Sequence, residues 1–169
     1  MPISRRRMTV GLGLAAPLLL VGCNLRPLHG SQQPQVTAEL STTRVAPLSN
    51  RLGQKLHNLL LDRINPRGQP LNPAYELRVS LNRREAESGL RSDETATRIT
   101  LTLTANYTLV TAKEQAAVTR GTTGAQAVFN ILENRFSSQV SEEAAEERAL
   151  VIIADAIATR LTVALSEQG

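Results

Sequence analysis

From Arg98 to Leu109 the side-chain character switches at every residue. Ile99, Leu101, Leu103, Ala105, Tyr107 and Leu109 are apolar, while Arg98, Thr100, Thr102, Thr104, Asn106 and Thr108 are polar. Successive side chains of a strand point to opposite faces, so a period of two sustained this long dictates a strand with one face on a core. Such a strand is not stable alone. It needs strands beside it and an apolar layer over its inner face.

The flanking sequence supplies both. Tyr75, Leu77, Val79 and Leu81 alternate with Glu76, Arg78, Ser80 and Asn82, which predicts a preceding half-buried strand. The charged stretch Arg83 to Glu94, with Gly89, reads as the outer part of a hairpin and its loop. Lys113-Glu114-Gln115 makes a turn into a fourth strand, Ala117–Thr123, with a continuation towards Val128. A first strand is expected within Gln35–Val45, which is rich in β-branched residues. Leu52, Leu56, Leu59, Leu60 and Ile64 fall at helical spacing, behind Pro47 and a cap at Ser49 or Asn50, and Asn65-Pro66-Arg67-Gly68 ends that helix. A last helix is expected from about Ser141, as its cap, to Leu165. Ala149, Ile152, Ile153, Ala156, Ile157, Leu161, Ala164 and Leu165 form its stripe, and Glu142 and Glu143 suit its positive end. The order β-α-β-β-β-α then predicts an α+β two-layer sandwich: a four-stranded sheet with two helices on one face.

The N-terminus has a different logic. Ser4-Arg5-Arg6-Arg7 is followed by an uncharged stretch from Met8 to Gly22 and then by Cys23, the one cysteine. A basic n-region, a short apolar region and small residues before a cut make a secretory signal. The apolar stretch, interrupted by Pro17, is too short for a spanning helix. Leu20-Val21-Gly22-Cys23 resembles the lipobox of bacterial lipoproteins. That likeness implies a diacylglycerol on the Cys23 thiol, cleavage before it and acylation of the new amine. Residues 1–22 are then a signal peptide, residues 23–34 a lipidated tether containing Pro27 and Pro34, and residues 35–169 one domain. The run Arg5-Arg6-Arg7 fits twin-arginine export as well as the general secretory route, which is favoured. Asn24 is not the aspartate that holds many lipoproteins in the inner membrane, so outer-membrane placement is expected.

Composition narrows the function. The formal charge of +4 falls to +1 once the three signal arginines leave, which argues against nucleic acid as a partner. Tyr75, Tyr107, Phe129 and Phe136 are the aromatics and are expected in the core rather than as stacking platforms. His29 and His57 are far apart, so neither a metal site nor a Ser-His-Asp arrangement is expected. Gly121 and Gly124 lack the context of a phosphate loop. No catalytic constellation and no cofactor site can be assigned.

The threonine row Thr100, Thr102, Thr104 reads either as a β-favouring solvent face or as a surface that lies against another protein, where charge would cost desolvation. Cys23-Asn24-Leu25-Arg26-Pro27-Leu28-His29-Gly30 resembles the mature start of the LptE family of lipopolysaccharide-assembly lipoproteins, with Asn24, Leu25 and His29 standing where that family tends to carry Gly, Phe and Tyr. Arg51-Leu52-Gly53-Gln54 is similar to the family as well. The resemblance implies a non-enzymatic protein that plugs the LptD β-barrel in a 1:1 complex, assists its assembly and binds lipopolysaccharide. For such a ligand Arg83, Arg84 and Arg91 are the candidate phosphate-binding guanidiniums; a solvated, self-paired charged loop is the other reading of them. An unrelated lipid-anchored envelope adaptor or scaffold is the alternative function.

Overall fold

The computed structural model describes residues 34–87, 98–132 and 134–167. The expected strand within Gln35–Val45 divides in two: helix α1 spans Pro34–Ser41 and strand β1 just Thr43–Val45. Proline at a first helical position lacks an N–H that would be unpaired anyway, and its fixed φ suits the helix. The Ser41 hydroxyl donates to Ala38 O and the Thr42 hydroxyl to Glu39 O, closing the helix before the strand begins.

Helix α2, Asn50–Ile64, is capped by Asn50 rather than Ser49. The Asn50 backbone is left-handed (φ 64°) and its Oδ1 accepts from Gly53 N–H at 2.9 Å. Gly53, Leu56, Leu60 and Ile64 are buried along one line. Strands β2 (Tyr75–Glu87), β3 (Arg98–Thr111) and β4 (Ala117–Asn130) follow. The sheet order is β1-β2-β3-β4, with β1 parallel to β2 and the other pairs antiparallel. The alternation in β3 is realised: Leu101, Leu103, Ala105, Tyr107 and Leu109 are buried, and the threonines face the other way.

Helix α3, Arg135–Ser166, starts well before the expected Ser141. Asn134 caps it, with Oδ1 accepting from the N–H groups of Phe136 (2.9 Å) and Ser137 (3.4 Å). Ala145, Ala149, Leu150, Ile153, Ala154, Ile157, Leu161 and Leu165 are its buried row, whereas Ile152, assigned to that row from spacing, is half exposed. The helix is long and apolar enough to cross a membrane by length and composition, yet it lies along β3 and β4, and its alanines let it approach them closely. With α2 beside it, this makes the α+β layer arrangement expected, with α1 added.

Gly121 is where β4 leaves room for a side chain of the neighbouring strand β3. It pairs with Tyr107, and a Cβ there would lie 2.5 Å from the Tyr107 hydroxyl oxygen. Gly121→Ala is expected to destabilise the fold by about 1–3 kcal/mol, as overpacking does. Because the hydroxyl is the closest atom, adding Tyr107→Phe should return part of the lost melting temperature. Additive losses in the double variant would mean that the two residues do not compete for space.

Candidate functional site

Strand alternation decides where the sequence-predicted arginines go. Arg83 lies on the helix side of β2, in line with Leu81 and Glu85. Its guanidinium contacts Glu85, Glu142 and, at 3.7 Å, Glu146. Glu146 is almost wholly buried and also accepts from Arg51 Nη2 at 2.9 Å, while Arg51 Nη1 reaches Glu143 at 3.2 Å. The cluster ties α2, β2 and α3 together around one buried carboxylate, and it is largely structural. Arg84, one residue on, projects on the opposite face, paired in register with Thr102. The sheet therefore separates Arg83 from Arg84. Arg91 and Cys23 lie outside the described residues.

The helices cover one face of the sheet. On the other, Thr100, Thr102 and Thr104 are half-buried. In register they are flanked by Ala86, Arg84 and Asn82 on β2 and by Val128, Gln126 and Gly124 on β4. Charge on this face concentrates on β2, where Arg78 Nε pairs with Glu76 at 2.9 Å. The β3–β4 half is uncharged between Arg98 and Arg120, and Thr122 donates to Asn106 Oδ1 at 2.7 Å. Such a face can be covered by another protein without stripping water from an ion.

Sequence reasoning missed the corner where β4 meets α3. Val128, Ile131, Leu132, Phe136 and Val140 are all exposed there, Phe136 by 73%. Phe136 is therefore not a core aromatic, unlike Tyr107 and Phe129. Ser138 holds the corner in shape: its hydroxyl accepts from Leu132 N–H at 2.8 Å and contacts Leu132 O at 2.9 Å. Twelve uncharged residues, Gly121 to Leu132, were the available signal. Among the described residues no group of three His, Cys, Asp or Glu side chains could hold a metal ion.

The family model for lipopolysaccharide assembly, LptE, matches residues 38–161. The chain belongs to the LptE family. The match runs from α1 to Leu161 in α3 and so takes in the sheet, the Glu146 cluster, the open face and the apolar corner. Solved structures share this LptE fold. A candidate lipoprotein from Caulobacter crescentus is 23% identical with a TM-score of 0.65, covering 78% of this chain and 96% of its own. A minor lipoprotein from Acinetobacter baumannii is 16% identical with a TM-score of 0.54, over 72% and 88% of the two chains. Rare lipoprotein B from Shewanella oneidensis is 10% identical with a TM-score of 0.52, over 75% and 92%. No curated protein matches the sequence significantly. LptE membership carries a role in lipopolysaccharide assembly together with LptD, in the cell envelope.

Proposed function

We propose that this LptE protein is a non-enzymatic plug for its LptD barrel, forming a 1:1 complex at the outer membrane, assisting barrel assembly and binding lipopolysaccharide in transit. The family match over residues 38–161 carries the reading. The uncharged β3–β4 half of the open face supports it, with Thr100, Thr102 and Thr104 as barrel-facing residues, because burying them removes no ion from water. Lipidation of Cys23 ties the domain to the membrane. A tagged chain purified from detergent-solubilised envelopes should bring down a large β-barrel protein in equal amount, identified by mass spectrometry. Recovery without any barrel would favour the lipid-anchored adaptor reading instead.

For the glycolipid, Arg84, with Arg91 of the connecting segment, supplies guanidiniums for lipid A phosphates, while Arg83 is already held by carboxylates. Arg84→Ala is expected to weaken lipopolysaccharide binding by about three- to tenfold at low salt, and less at high salt. Arg83→Ala should change binding by less than about twofold and lower the melting temperature, since it removes one partner of buried Glu146. The reverse pattern in a binding titration would return Arg83 to the ligand site.

A further inference from the structure

The two edges of the sheet are treated differently. β1 is three residues long, and its outward Val45 N–H donates to Gln69 Oε1 at 3.1 Å. β4 is a fourteen-residue edge strand. Its phase follows from two hydrogen bonds: Thr111 N–H donates to Ala116 O on the β4 side, and Ala112 N–H donates to Ala74 O on the β2 side. Odd-numbered backbone groups of β3 therefore face β4. Through the pairs Leu103–Ala125, Leu101–Ala127 and Ile99–Phe129, the odd residues of β4 turn inward, and Gly124, Gln126, Val128 and Asn130 turn their N–H and C=O outward. Among the described residues, Arg160 Nη1 covers this outer row at one point, Thr122 O, at 2.7 Å. Beyond it, Gly124–Asn130 has no proline and no charge, the devices that normally blunt an edge. The exposed corner of Ile131, Leu132, Phe136 and Val140 adjoins its end.

We infer that the outer edge of β4 from Gly124 to Asn130 is a strand-addition site. Its occupant is an extended segment of the barrel partner with alternating apolar side chains, which also covers the Phe136 corner. A row of unpaired backbone groups accepts an extended backbone and little else. Strands of a membrane barrel are about 9–11 residues with apolar side chains at alternate positions, and a segment of that pattern left out of the closed ladder keeps free backbone groups of its own. A second copy fits less well. Antiparallel pairing of two β4 edges about Ala127 sets Gly124 against Asn130, which leaves each apolar corner beside Thr122 and Arg160 of the other copy rather than against apolar surface. The inference rests on the barrel partnership proposed above.

Hydrogen exchange resolved to single amides, on the full chain alone and in complex with its purified LptD, tests it. Gly124, Gln126, Val128 and Asn130 should exchange fast in the free chain and slow by about a hundredfold or more in the complex, while Ala125, Ala127 and Phe129 are slow in both. Gln126→Pro removes one outward N–H and leaves the β3 ladder intact. It should weaken complex formation about tenfold at an unchanged melting temperature, and Gln126→Ala should not. Fast outward amides in a complex that forms normally would overturn the inference and leave the barrel partnership standing. Slow outward amides in the free chain would show self-pairing and overturn it as well. Failure of any complex to form would sink both.

Discussion

Ile153→Asp is expected to leave the domain largely unfolded. Ile153 is fully buried in the middle of α3, between Leu150 and Ile157. An ionised carboxylate there would lose its water and gain no partner, a cost of several kcal/mol against a typical total stability of about 5–15 kcal/mol. Leu56→Asp should do the same from α2, where Leu56 is equally buried. Arg148→Ala, on the exposed side of α3, should shift stability by no more than about 0.5 kcal/mol. Thermal unfolding followed by circular dichroism checks the contrast. An unchanged melting temperature for Ile153→Asp would mean that α3 does not pack through this face.

Cys23→Ala is expected to leave the protein poorly anchored in the membrane. Each buried methylene of an acyl chain contributes about 0.8 kcal/mol, so one chain holds marginally while the three proposed on Cys23 hold permanently. The variant should stay uncleaved at Gly22–Cys23 or be misprocessed, and labelled fatty acid should no longer enter the protein. Membrane fractionation and the mass of the processed N-terminus read both effects. A variant still cut before residue 23 and equally membrane-bound would place the anchor elsewhere.

What could be read from the residues depended on period. The twofold period of Ile99–Leu109 and the leucine spacing of Leu52–Ile64 name their own buried faces, and the structure keeps both. α1 was hidden because Thr37 and the β-branched residues after it suit a strand locally, while Pro34 as a helix start shows only once the helix is in view. The beginning of α3 was hidden because Ser141 is as good a cap by residue type as Asn134; choosing between them takes the hydrogen bonds to Phe136 and Ser137. That misplaced start also concealed the exposed corner, by leaving Phe136 and Val140 outside any helix. Arg83 and Arg84 illustrate the opposite case. Their separation by the sheet was implicit in the alternation of β2, as was the pairing of Arg83 with Glu85, but its other partners, Glu142 and Glu146, come from α3, about sixty residues away, and spacing along one strand does not reveal them.

The role in lipopolysaccharide assembly is tested most directly in the cell that makes the protein. After the chain is depleted, newly made lipopolysaccharide reaching the outer surface should be measured by surface labelling, alongside the amount of correctly folded LptD barrel. Both are expected to fall together, with lipopolysaccharide accumulating on the inner side of the envelope. Unchanged surface lipopolysaccharide with a normal barrel would contradict that role.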